Sequence, residues 1–306
     1  MINSSDPYND LPKLPPKTLL DNIVILKKVN RANKALSQLN GLIRTLENPE
    51  MILQPLKVKE AVESSGIENI NTTISEALQA ELFPSEKLTS EQKEVKDYKK
   101  ALLVGFKKIQ EKKHLTTNDF IEIQRKLGIQ HAGIRNLPGT KIGNSNTGEV
   151  FYTPPNGEDL IRNLLKNFED YYNSSEDDPD YLVKMAILHY QFEAIHPFFD
   201  GNGRTGRILM VLYLVLQKNL ISPTLFISQY INKNRNEYYR LLREVTFKEN
   251  WTEWVLFILD AVETQAAATS KTIINILDLK NNFKNNVLPE FTFTYAQELL
   301  AYLFSN

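Results

Sequence analysis

His196-Pro-Phe-Phe-Asp-Gly-Asn-Gly-Arg-Thr-Gly-Arg207 is a polar, glycine-rich stretch set between two apolar ones. The segment before it, Tyr181 to Ile195, carries apolar residues at helical spacing, and the one after it, Ile208 to Leu220, is almost continuously apolar. The pattern predicts two buried helices joined by this loop. Polar and charged groups so placed are unfavourable unless each meets a partner.

The residue types suggest that partner. Gly201, Gly203 and Gly206 allow backbone N–H groups to approach an anion. Asn202 reads as a cap for the second helix, whose free N–H groups and positive dipole end suit phosphate. Arg204 and Arg207, on the first helical turn, can fork onto two phosphates. Asp200 is the loop's one carboxylate, and magnesium is commonly held by one or two carboxylates together with substrate phosphates and waters. His196 closes the first helix with a near-neutral pKa suited to a general base.

The stretch resembles the Fic family signature, H-x-F-x-(D/E)-G-N-G-R-x-x-R: His196, Phe198, Asp200, Gly201, Asn202, Gly203, Arg204 and Arg207 fill every defined position. The resemblance implies a mainly α, Fic-type helical bundle with a β-hairpin flap over the active site. It implies a nucleotidyltransferase, a protein adenylyltransferase that moves AMP from ATP to a Ser, Thr or Tyr hydroxyl of a target protein or of itself. His196 would be the base, Asp200 the Mg2+ ligand, and Phe198 an inward anchor. Gly201, Asn202, Gly203, Arg204, Thr205, Gly206 and Arg207 would hold the nucleotide. Kinase-like, UMP or phosphocholine transfer and removal of AMP are alternatives on the same fold. A nonenzymatic interaction protein is the alternative from another class.

Ser64-Ser-Gly-Ile-Glu-Asn69 resembles the family's inhibitory signature, (S/T)-x-x-x-E-(G/N). Ser64 and Glu68 share a helix face, so the hydroxyl can help orient the carboxylate. The resemblance implies a bidentate contact of Glu68 with Arg207 that occupies the donors for the γ-phosphate and restrains the enzyme at rest. Gly139 to Pro155 holds an Asn/Gly-rich turn before the β-favouring run Val150 to Thr153 and predicts a hairpin. Relatives use such a hairpin to cover the nucleotide and pair with a target segment, which implies ligand contacts here from among Lys141, Ile142 and Gly143, with Ile142 and Gly143 assigned to the nucleotide. Tyr238 and Tyr239 are expected to line the adenosine, and Thr246 stands where some relatives carry an asparagine.

Composition narrows the classes. The 306 residues balance 36 basic against 37 acidic side chains, for a net charge of −1, which offers no field for nonspecific nucleic acid binding. The absence of cysteine excludes disulfides and thiol catalysis. No signal-like or membrane-length apolar segment stands out, so a cytoplasmic protein without a membrane partner is expected. A homodimer is among the family's assemblies.

The expected organisation is an N-terminal helical region over 1–90 with a proline-rich surface arm and the inhibitory helix, a catalytic unit over 91–262, and a tail over 263–306 that starts an incomplete winged helix. Leu19 to Leu46 predicts one or two helices parted near Asn30–Asn33, with Ile23, Leu26, Val29, Leu36, Leu39 and Ile43 on the apolar face. The inhibitory helix is expected after Pro55. Further helices are expected over Val95–Gln110 and Asp119–Leu127, the second capped by Thr116. Lys107, Lys108, Lys112 and Lys113 read as a solvated face, Asn173 to Asp180 as an acidic turn, His189 as a packing residue, and Trp251 and Trp254 as core.

Overall fold

The computed structural model describes residues 2–287 apart from 19, 21, 84–87, 144–146 and 175–178. The hairpin tip, the middle of the acidic turn and the 294–306 tail therefore lie outside the described residues. The elements run α1 (Ile23–Arg44), α2 (Pro49–Ile67), α3 (Ile74–Leu82), α4 (Ser90–Lys112), α5 (Thr117–Lys126), β1 (Ile142–Gly143), β2 (Val150–Tyr152) and α6 (Glu158–Asn173). Then come α7 (Tyr181–Ile195), α8 (Asn202–Leu216), α9 (Ser228–Lys233), α10 (Arg235–Lys248) and α11 (Trp251–Asn282), closed by a π-helical turn, Phe283–Val287. This is a mainly α bundle with an antiparallel hairpin, as the sequence predicts.

Helices α7 and α8 pack together at the centre, with Phe192, Ile195, Ile208 and Leu212 fully buried. Around them, α1 lies along α11, and α4 crosses α2, α5 and α8. Lys28 Nζ meets Glu263 Oε2 at 2.6 Å and Asp260, while Lys280 Nζ lies 3.9 Å from Glu47 Oε2. These pairs rise together in number, so α1 and α11 run in the same direction. Trp254 is fully buried and donates Nε1–H to the Ala186 carbonyl at 2.8 Å, and Trp251 is 7% exposed, so both tryptophans pack the core.

Several elements differ from their sequence reading. Helix α1 is unbroken across Asn30–Asn33, because Asn33 bonds sideways to Asp180 (3.3 Å) and Tyr181 instead of ending the helix. Its start is rotated: Asn22 caps the N–H groups of Val24 (3.1 Å) and Ile25 (3.0 Å), which buries Ile25 and leaves Ile23 and Leu26 exposed. Helix α2 begins at Pro49 and continues through Pro55, whose missing N–H bond is outweighed by burial of Ile52, Leu53, Leu56 and Val58. The proline-rich arm is more than a surface strap. Leu11 and Leu14 are buried, Asn167 bonds both backbone groups of Leu14 (2.7 and 3.0 Å), and Gln191 donates to the Pro12 carbonyl.

Lys108 and Lys112 do not form a free solvated face. Each puts its Nζ 3.0 Å from Asp119, which also caps α5 with Thr116, so burial of that carboxyl is outweighed by its bonds and its pKa falls. Helix α2, which presents Glu68, is pinned from behind: Glu60 accepts from the Ser228 N–H at 3.1 Å, from its hydroxyl, and from Tyr98 at 3.3 Å. Helix α11 passes through residue 262 without interruption. Among the described residues no helix is long and apolar enough to cross a membrane.

Candidate active site

The site forms where α7 ends, α8 begins and the end of α2 comes across. His196 is the C-terminal cap of α7, in left-handed backbone geometry at φ 48, with its N–H on the Phe192 carbonyl at 3.0 Å. That turn directs the chain into the loop and leaves the half-buried imidazole at its rim. Burial, then the nearby Arg135 guanidinium, holds its pKa down to about 4, with Glu68 and the Glu193 backbone pulling the other way. The ring is therefore neutral at neutral pH. Its Nδ1 is buried.

Asn202 departs from the expected cap. Gly201, at φ 79, takes the N-cap position, and Asn202 is the first helical residue. Its amide instead clips the loop across its neck, accepting from the Phe198 N–H at 2.9 Å and donating to the Phe198 carbonyl at 2.9 Å. Phe198 is completely buried and meets Phe192 edge-on at 6.0 Å, an inward anchor as predicted. Asp200 is largely exposed, and its Oδ1 accepts from the Gly201 N–H at 2.5 Å and Arg204 Nη2 at 3.1 Å. Thr205 is buried with its hydroxyl unpartnered.

The two loop arginines are both buried and both engaged. Arg204 contacts Glu94 of α4, a partner that nothing in the loop's sequence announces. Arg207 reaches α2: Nε donates to Ser64 Oγ at 2.8 Å, and Nη2 donates to the Ser64 carbonyl and to Glu68 Oε1, both at 2.9 Å. Ser64 thus meets Glu68 through the arginine, and the carboxylate engages one nitrogen, so the expected bidentate fork is replaced by a three-bond grip shared with Ser64. Gly203 permits it, because a Cβ there would stand 2.3 Å from Glu68 Oε1 and 2.9 Å from Arg207 Nη1.

The end of α2 explains why the motif closes in Asn. Asn69 is left-handed at φ 63; its N–H bonds the Gly66 carbonyl at 3.1 Å, and the Ile70 N–H bonds the Ser65 carbonyl at 3.1 Å. This is a Schellman ending, in which Gly or Asn takes the left-handed position. Glu68 is thereby the C-cap residue, one step past the last helical turn.

The hairpin adjoins the end of α7. Ile142 pairs with Tyr152 and Gly143 with Val150. Tyr152 donates to the Ala194 carbonyl at 2.8 Å, and Arg243 of α10 stands 4.9 Å from the Phe151 ring. The tyrosine pair divides. Tyr238 is 2% exposed, bonds His189 Nε2 at 2.9 Å and packs on Trp254, so it belongs to the core; Tyr239 remains partly open. His189 stacks on Trp254, as expected of a packing residue. Thr246 is spent on Tyr190, hydroxyl to hydroxyl at 2.9 Å.

Arg135, Glu94 and Glu193 were not read as site residues from the sequence. Glu193 Oε1 is buried and unpartnered, at 2.5 Å from where a Cβ on Gly206 would sit. Burial pushes its carboxyl up to about 8, against the pull of Arg207 and with the help of Glu68. Its place three residues before His196, between apolar neighbours, was the only available signal.

Two family models match the chain: "Fic/DOC family N-terminal" over residues 26–107 and "Fic/DOC family" over 114–214. A protein adenylyltransferase Fic of Drosophila grimshawi is 28% identical over 204 residues, covering 65% of this chain and 40% of that protein. Another from Nematostella vectensis is 33% identical over 141 residues, covering 44% and 30%. The chain thus spans about two fifths or less of the length of these curated relatives. The crystal structure of a Fic family protein from Desulfovibrio desulfuricans superposes with a TM-score of 0.68 at 20% identity, covering 89% of each chain, which speaks to the fold. With the complete loop at the junction of α7 and α8 inside the second matched segment, and the two models together covering most of residues 26–214, the chain belongs to the Fic/DOC family.

Proposed function

We propose that the chain is a protein adenylyltransferase restrained by its own α2. The observation that carries this reading is the grip on Arg207: a buried guanidinium at the start of α8 takes Ser64 and Glu68 from another helix, beside a neutral histidine. A guanidinium so placed is suited to phosphate, and an internal carboxylate on it is a competitor for that phosphate. With Glu68 displaced, ATP lies over the loop, its phosphates on the α8 N-terminus, Arg204 and Arg207. His196 takes the proton from a target hydroxyl, whose oxygen bonds the α-phosphorus as the bond to the β-phosphate oxygen breaks and pyrophosphate leaves. Oδ2 of Asp200, the oxygen not used by Gly201 and Arg204, suits a magnesium ion, which would neutralise phosphate charge. Among the described residues no cluster of three or more ligand side chains could hold a metal alone.

The 1–90 region then supplies the restraint and the following residues the chemistry, in the cytoplasm, on a protein hydroxyl of the target or of the chain itself. Incubating the protein and its Glu68→Gly variant with α-labelled and γ-labelled ATP tests the reading. Protein label from the α position alone, stronger in the variant by about tenfold to a hundredfold for one charged contact removed, is the expected result. Label from the γ position points to kinase-like chemistry, and no label from nucleotide-bound protein overturns transfer altogether.

A further inference from the structure

Every backbone carbonyl from residue 194 to 198 is taken by a donor from outside its helix turn. Tyr152 takes Ala194, and Asn202 takes Phe198. The three between them belong to one residue. Arg135 donates Nη2–H to Ile195 O at 3.3 Å, Nε–H to His196 O at 2.7 Å, and its own backbone N–H to Pro197 O at 2.9 Å. Its Nη2 also reaches the Pro155 carbonyl at the foot of β2, and neighbouring Ile134 forms a β-bridge with Phe198.

Arg135 is 1% exposed, and its acceptors are all carbonyls, with no carboxylate paired to it among the described residues. Burying a guanidinium without a counter-ion is unfavourable, and an apolar side chain would fill the space with less penalty. What the guanidinium adds is directional. Its planar fork fixes two successive carbonyls at the negative end of α7, where a helix leaves its last acceptors open. Between those carbonyls stands His196, a non-glycine residue in left-handed geometry that its surroundings must hold.

We propose that Arg135 is a positioning residue for transfer: it clamps the left-handed backbone at His196 to the foot of the hairpin, so one side chain sets both the height of the imidazole and the seat of the flap. This rests on the reading of His196 as the base. A ring displaced by about 1 Å is enough to lower transfer about 10²-fold while the nucleotide, held by α8, is still bound.

The test uses Arg135→Met and Arg135→Lys in the Glu68→Gly protein, where the α2 carboxylate no longer acts on the imidazole. For Met the expected result is ATP affinity within about threefold of the parent and kcat lower by about 10²-fold. Lys, which keeps the charge but loses the fork, falls between. Folded variants that both transfer within about threefold of the parent overturn the clamp. If Met does not fold, Lys decides alone, and a parental kcat overturns it. The His196 ring titration, followed by NMR, needs no transfer. The groups acting on that ring are Arg135, the Glu193 backbone and, in the native chain, Glu68. Met is expected to raise the ring pKa and Lys to leave it low. An unmoved ring in Met sinks the clamp, whereas a parent that transfers nothing sinks the adenylyltransferase reading instead.

Discussion

Two buried arginines flank His196, and they are held in opposite ways. Arg135 is fixed by backbone carbonyls of residues 155, 195 and 196, groups that belong to the permanent frame of the loop. Arg207 is held at the end of another helix by two side chains, the Ser64 hydroxyl and the Glu68 carboxylate, together with one backbone group, the Ser64 carbonyl. A phosphate can replace a carboxylate on a guanidinium, since both offer charged oxygens to the same fork. It cannot replace a carbonyl that the helix itself must satisfy. The first arginine is therefore built to stay and the second to change partners.

The largest expected effect separates the two sides. His196→Ala should lower transfer by about 10²–10⁴-fold and leave nucleotide affinity nearly unchanged, because Arg207 and the α8 N-terminus are untouched. Isothermal titration with ATP beside a labelling assay checks both halves. A variant that labels protein at the parent rate would remove His196 from the base role. Equal loss of binding would place the imidazole on the Arg207 side of the comparison.

A smaller effect is expected at Ser64, which contributes one hydroxyl to the grip. Ser64→Ala deletes the bond to Arg207 Nε while Glu68 remains, a loss of about 1 kcal/mol, so transfer should rise about fivefold. Initial labelling rates under subsaturating ATP measure it. An unchanged or lower rate would mean that Ser64 steadies Arg207 for the nucleotide as much as for the carboxylate.

The smallest and most local effect concerns Glu193, whose unpartnered oxygen lies between α7 and α8. An unfolded glutamate gives up its proton near 4.5, but the folded Glu193 holds it up to about 8, so stability falls as pH rises through that interval. His189 and His196, lowered to about 3 and about 4 by burial first, act in the opposite sense, but only below the ordinary histidine value of 6.5. Above it the raised carboxyls act without them, Glu60 at about 7 included. Glu193→Gln should flatten the decline between about pH 6.5 and 8.5, a difference of order 1 kcal/mol once partial exposure is allowed for. Urea unfolding across that range reads it, and parallel curves for the two proteins would count against a proton held on Glu193.

The loop was legible because its chemistry is contiguous: twelve neighbouring residues carry histidine, carboxylate, glycines and arginines in one order. The central helices were legible for a similar local reason, the apolar runs of α7 and α8. Arg135 and Glu94 reach the site from the segment before β1 and from α4 respectively, along paths that only tertiary packing defines, so spacing could not announce them. Asn202 shows a subtler failure. Its residue type suits a cap, but Gly201 accepts the left-handed backbone that starts the helix and frees the amide for Phe198. Tyr238 was drawn toward the nucleotide by its neighbours in sequence, yet its ring completes the aromatic layer with His189 and Trp254. At Pro55, burial of the surrounding apolar residues overrode a local breaker signal.

Because Glu68 is the C-cap of α2 and left-handed Asn69 turns the chain away just after it, the carboxylate stands at the last point that the helix carries before the backbone changes direction. The acidic tip can swing aside by rotation about its own side-chain bonds, with Leu53, Val58 and Ala61 still buried and Glu60 still tied to Ser228. The restraint is in effect a latch on a swivel, detachable without dismantling the door.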